Sequence, residues 1–224
     1  MYKIAKYLVI ALLLTPVLVW SQLNDAGLIT GISASKSLGR SFSLKAEQEF
    51  RLNNRIAAFD RSLTGISVDY RIIKSYLKVG VDYNLIYQKN TTYYTFRHRS
   101  SAWVTGSYQF RRFEFDVRSR VQSTWRDNAR GEYKINPKLV WRNKLEIAYD
   151  IFGSPVKPYV SGEIILPIND RNPLYLNAYR LVAGAKYRYS QHETVEVFAR
   201  FDQDVQQSDA QNIFYLGAGW NYRF

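Results

Sequence analysis

His98 and His192 are the two side chains of this 224-residue chain whose ordinary pKa suits proton transfer near neutrality, and there is no cysteine. Thiolate nucleophiles, thiolate metal sites and disulfides are thereby excluded. A serine–histidine pair is the catalytic arrangement left to consider, and Ser100 and Ser101 lie beside His98 in sequence. Strand alternation, however, puts His98 and Ser100 on the face opposite Arg97 and Arg99, away from any charged interior. His192 falls in Ser190-Gln-His-Glu193, a turn signal, where a surface histidine is expected. Asp202, Asp204 and Asp209 bracket a polar loop and could offer oxygen ligands, but nothing matches a calcium-loop spacing. The reading is no enzyme, no metal and no cofactor.

Charge at every second position is what this chain has in quantity. One strand face collects Lys45, Lys78, Arg97, Arg99, Arg118, Arg120, Arg142, Lys144, Arg180, Lys186, Arg188 and Arg200. The same face carries Glu47, Glu49, Asp69, Asp82, Glu114, Asp116, Glu146, Asp150, Glu163, Glu196 and Asp202, so 12 cations meet 11 anions. Two chemistries fit such an interior. Arg97, Arg99, Arg118, Arg120, Arg142 and Lys144, paired with Glu114, Asp116, Glu146 and neighbouring carboxylates, would make a closed ion-pair network. Left partly unpaired, the same basic ladder would make a path for small anions. The net charge of +12 invites a nucleic-acid partner, but the basic residues are spread along strand faces without a basic run or a recognisable module, so none is expected.

The elements that must position these charges are strands throughout. Candidate segments fall at 27–37, 41–51, 62–72, 75–88, 94–109, 112–125, 138–150, 157–167, 174–189, 193–203 and 212–224, with no room between them for helices. In 112–125, Phe113, Phe115, Val117, Val121 and Trp125 oppose Glu114, Asp116, Arg118, Arg120, Gln122 and Thr124. The aromatic content, 18 Tyr, 12 Phe and 5 Trp, suits the two interfacial girdles of a transmembrane β-barrel better than the Val/Ile/Leu core of a soluble sandwich. Short links alternate with longer polar ones such as 52–61 and 126–137, as periplasmic turns alternate with outer loops. An all-β antiparallel barrel of 10–12 strands follows. Bacterial single-chain barrels have even strand numbers, so the eleven segments imply ten, with the first outside the wall or threaded through the lumen, or twelve, which is slightly preferred.

The ends carry addresses. Lys3 and Lys6 precede a run of about 14 apolar residues, interrupted by Pro16 and too short for a spanning helix. Residues 1–22 are expected to be a cleaved signal peptide and residues 23–224 the barrel domain. At the other end Trp220, Tyr222 and Phe224 form an aromatic row that resembles the C-terminal strand of outer-membrane barrels, which implies recognition by the barrel assembly machinery. Gly31-Ile-Ser-Ala-Ser-Lys36, Glu49-Phe-Arg-Leu52, Arg97-His-Arg99, Arg142-Asn-Lys-Leu-Glu-Ile147, Lys157-Pro-Tyr-Val-Ser161 and Trp220-Asn-Tyr-Arg-Phe224 together resemble the Bacteroidota domain-of-unknown-function family twenty-four-ninety. The resemblance implies a small barrel in the bacterial outer membrane, in contact with its lipid and lipopolysaccharide, and implies no activity. The expected function is a barrel with a charged, filled lumen and a structural or interaction role. A narrow anion-selective pore is the alternative and a lipid-modifying enzyme a distant third.

Overall fold

A computed structural model describes residues 25–89, 93–126, 136–170, 173–205 and 212–224. The expected signal segment, residues 1–22, lies outside the described residues. Alternating large apolar and polar side chains, broken by turn signals, fold into eleven strands. They are β1 (Asp25–Leu38), β2 (Phe42–Asn53), β3 (Ala58–Ile73), β4 (Leu77–Lys89), β5 (Tyr94–Phe110) and β6 (Phe113–Arg126). The second half supplies β7 (Lys138–Tyr149), β8 (Val156–Pro167), β9 (Ala178–Arg188), β10 (Glu193–Asp204) and β11 (Asn212–Arg223). Each pairs antiparallel with its sequence neighbour, and β1 pairs with β11 to close the barrel.

The eleven strands among the described residues bear out an all-β barrel of 10–12 strands but not the slight preference for twelve or the even count behind it. With strands alternating in direction, an odd count brings the first and last together pointing the same way, and β1 and β11 do pair in parallel, from Asp25 opposite Ile213 to Ser35 opposite Arg223. The first segment is therefore a wall strand, neither absent from the wall nor threaded through it. The seam is closed further by the Ser33 Oγ donating to Asn221 Oδ1 at 2.5 Å and by the Phe224 backbone amide donating to the Ser35 carbonyl at 2.9 Å.

One end of the barrel carries short links at 39–41, 74–76, 111–112, 150–155 and 189–192. The opposite end carries longer connections at 127–137, 168–177 and 205–211, but β4 and β5 are joined by 90–93 alone and the expected 52–61 link between β2 and β3 shrinks to 54–57. Both strands extend into it past a register shift at Arg51/Leu52. The tight turn holds Asn54, Arg55 and Ile56 at positive φ (51°, 55° and 70°), which is costly for a β-branched residue. Asp25 over-determines this turn by accepting the amides of Asn54 at 2.8 Å and Arg55 at 2.9 Å.

The register sends odd and even positions to opposite faces without exception along β4 to β7. Outside stand Ile32, Val81, Val117 and Leu216, each more than half exposed. Inside, Thr105 is 1% and Arg200 6% exposed. The barrel is thus apolar outward and charged inward.

Candidate functional site

Cross-strand register brings the inward charges together. Arg97 stands opposite Arg126 and Trp103 opposite Arg120 across β5 and β6. Arg120 faces Arg142, Arg118 faces Lys144 and Asp116 faces Glu146 across β6 and β7. All nine charged residues singled out in the sequence lie on this inward row, but they fall into two groups.

Arg97, Arg99, Arg118, Arg120 and Arg142 line a lumenal cavity of about 610 Å³. Lys144, Glu114, Asp116 and Glu146 lie outside it, toward the short-turn end. There Glu146 accepts from Lys144 at 2.7 Å and from Lys186 at 2.8 Å, Lys157 pairs with Glu114, and Ser107 donates to Asp116. Of the expected pairings, Lys144 meets Glu146, while Arg120 and Arg142 meet neighbouring carboxylates higher on the strands.

Other acids serve the arginines. Arg142 clamps Glu163 with two bonds of 3.0 and 2.7 Å, and its third donor reaches Gln122 Oε1 at 2.9 Å. Arg180 bridges Glu163 at 3.1 Å and Asp202 at 2.8 Å, and Arg200 pairs with the same Asp202. Fork-shaped guanidiniums on shared carboxylates are the geometry in which a dry ion pair is best compensated. Arg120 approaches Asp82 at 3.7 Å, Arg51 meets Glu49 at 2.5 Å and Arg61 meets Asp60 at 2.8 Å.

The cavity wall is far from neutral. Thirteen cationic side chains line it against four carboxylates, Glu47, Glu49, Asp69 and Asp82. Asp60, Glu163 and Asp202 pair with lining arginines from beyond the cavity surface, and Asp170 and Asp204 act on Lys138 at the rim. Nine acids then face thirteen cations among the described residues, an excess of four. The near-balance read from sequence does not hold within the cavity, chiefly because Glu114, Asp116, Glu146, Asp150 and Glu196 lie outside it, while Arg51, Arg61, Arg126 and Lys138 line it in addition. Arg61 and Arg126 lie just beyond the expected strand ends, and all four are inward positions near the long connections. One further step of alternation reaches Arg61 and Arg126, whereas Arg51 and Lys138 are the end residues of the expected segments 41–51 and 138–150.

Aromatic rings fill space in a way that sequence reading missed. Trp103 lies over Gly80, Tyr215 over Gly27, Phe198 over Gly217 and Gly184, and Tyr159 also over Gly184. Each glycine is a cross-strand partner of the ring that covers it, so the missing Cβ admits a ring flat against the wall. Cations stack on three of these rings: Arg118 on Trp103 at 5.0 Å, Lys186 on Tyr159 at 4.5 Å and Arg200 on Tyr215 at 5.2 Å. The glycines are visible in the sequence, but only the register says which ring each one meets.

The histidines are elsewhere. His98 is exposed on the outward face, its Nδ1 2.6 Å from the Tyr83 hydroxyl. His192 Nδ1 lies 2.8 Å from the Arg223 carbonyl, with its ring 6.2 Å from that of Tyr222. Asp202 is bound to arginines inside the lumen, and Asp209 lies outside the described residues. Trp220, Tyr222 and Phe224 occupy the outward face of β11 at the short-turn end, Tyr222 and Phe224 meeting edge to face at 4.9 Å.

No curated protein matches the chain. The family described as "Protein of unknown function (DUF2490)" matches residues 26–213, which takes in β1 through β10 and the start of β11. With both the barrel and that span established, the chain belongs to the DUF2490 family.

Proposed function

We propose that this barrel spans the bacterial outer membrane, exported by residues 1–22, with its lumen obstructed and its role structural or in interaction. Its surroundings are bilayer lipid and lipopolysaccharide, and the row Trp220, Tyr222 and Phe224 meets the assembly machinery. It takes no nucleic-acid partner and carries out no catalysis. The observation that carries this reading is the inverted distribution of side chains. A water-soluble barrel buries its apolar row, whereas here Ile66, Val81, Val117, Leu145, Val160 and Leu216 face out around a lumen of arginine and carboxylate.

Outward polar groups support it too, because hydrocarbon offers no hydrogen bonds and such groups must satisfy one another. Gln48 donates to Ser62 at 2.7 Å and accepts from Thr64 at 2.5 Å, and Trp141 Nε1 donates to Ser119 at 2.8 Å. The filled lumen is supported by the rings seated on glycines and by the paired charges at the short-turn end.

Fractionation with and without boiling tests the reading. Outer-membrane recovery, gel mobility that changes on heating, a mature N-terminus near residue 23 and silence in planar bilayers are expected. Unheated protein in the soluble periplasmic fraction would overturn it. The excess of cations in the cavity favours a second reading, a narrow anion-selective pore. Small currents whose selectivity is lost in R118E/R120E would establish that reading instead.

A further inference from the structure

Among the described residues, the long-connection half of the lumen holds buried guanidinium donors that no acceptor reaches. Arg97, which has partners of its own, stands directly opposite Arg126 across β5 and β6. Arg99 lies one inward position further along, and the Nε atoms of Arg99 and Arg126 are both buried without a hydrogen-bond partner. Burial weighs most on Arg99, and the guanidiniums of Arg142, Arg61, Arg51 and Arg180 add repulsion to it. Buried donors of this kind cost free energy unless an acceptor reaches them. All of them line the same 610 Å³ cavity, a volume in the ordinary range for a small-molecule site.

We propose that this half of the lumen is a binding site for a phosphoryl-bearing anion, held by Arg99 and Arg126 with Arg61 and Arg97 around it. A planar monovalent carboxylate offers one edge and one charge. A phosphoryl group offers several oxygens in a tetrahedral array with up to two charges, which suits guanidiniums converging from β3, β5 and β6 and offsets more of the four-charge excess. The group arrives either on a free solute or as a lipid headgroup phosphate at the rim, and both sources present the same oxygens. The site deepens the reading of an obstructed lumen and rests on it, the obstruction being the paired charges on β6 to β9 at the short-turn end.

The full mature chain in detergent micelles is titrated calorimetrically with inorganic pyrophosphate and with acetate, at physiological salt so that diffuse attraction is screened. A second arm uses micelles doped with a bisphosphorylated lipid A or with a zwitterionic phospholipid. Saturable binding of pyrophosphate that acetate does not match, weakened about tenfold or more in R99Q/R126Q and unchanged in K157Q, supports a free phosphoryl ligand. The same pattern seen only with lipid A supports the headgroup source. Arg99→Lys keeps the charge and loses the fork, so it should weaken binding by several-fold while leaving the fold intact. Absence of saturable binding in both arms, acetate binding as tightly as pyrophosphate, or equal loss in K157Q overturns the proposal. Gel mobility with and without boiling is read on the same samples, so failure of the membrane-barrel reading is distinguished from failure of the site.

Discussion

At the short-turn end Glu146 sits 2.7 Å from one lysine and 2.8 Å from another, whereas further along the lumen Arg97 is registered directly against Arg126. Both regions are walls of the same barrel, with the same alternation and the same kinds of side chain. They differ in where acids fall along the strands. Glu114, Asp116, Glu146 and Glu196 cluster low on β6, β7 and β10, and Tyr159 over Gly184 fills space there. Toward the long connections acids become sparse while arginines continue. A tally of inward charges can therefore come out near zero while one end of the lumen is neutral and packed and the other is hollow and basic.

The join between the regions is Glu163, and the comparison predicts its largest mutational effect there. Glu163→Gln takes the shared carboxylate away, leaving Arg142 without its ion pair and Arg180 with Asp202 alone. A loss of roughly 3–5 kcal/mol in unfolding from detergent or bilayer is expected, as for other broken buried pairs. A loss below about 1 kcal/mol would mean that water already serves these arginines and that the two regions are alike.

The next effect separates lumen from outer surface. Val121 is exposed on the outward face beside Arg120, which lines the cavity. Val121→Arg near mid-bilayer should cost roughly 2–4 kcal/mol, while Arg120→Gln disturbs mainly its contact with Asp82. Equal tolerance at the two sites, measured by folding into bilayers, would remove the membrane premise and leave the internal comparison standing.

A smaller loss probes the packed region. Gly217→Val would drive a side chain into the Phe198 ring, and overpacking of this kind costs roughly 1–3 kcal/mol. Phe198→Ala with Gly217→Val should recover part of that loss, because the ring that clashes is then gone. Failure to recover would show that the glycine serves the β1–β11 seam and not the ring.

Much of this was legible in the sequence because period-two alternation is a local property. All eleven strands fall within four residues of the segments read from pattern, and the inward row of nine charges follows from the same parity. What was not legible depends on register and on strand ends. The parallel closure of β1 on β11 cannot be inferred from either strand alone, and an assumed even count argued against it. Glu163, visible on the inward row, becomes the partner of Arg142 only once β7 and β8 are aligned so that Lys144 faces Glu163. Arg61 and Arg126 were lost because a strand end near a polar link reads as loop, although Asp25 pinning the β2–β3 turn and Asn136 bonding the Arg126 backbone extend both strands.

The smallest expected effect is also the one of opposite sign. Arg99 contributes an uncompensated charge, so in the absence of a bound anion its replacement by glutamine removes a desolvation cost and a repulsion with Arg142 and Arg61. The variant should be as stable as the native barrel or more stable by up to about 1 kcal/mol, whereas the superficially similar Arg142→Gln exposes the Glu163 carboxylate and destabilises. Adding phosphate should reverse the order for Arg99, because only the native protein gains stability from a ligand that binds its folded state. Denaturant titrations with and without phosphate measure both halves of this statement. If Arg99→Gln is destabilising to the same degree as Arg142→Gln in phosphate-free buffer, then Arg99 is compensated within the chain, and the contrast between a neutralised and a basic half of the lumen fails at its central residue.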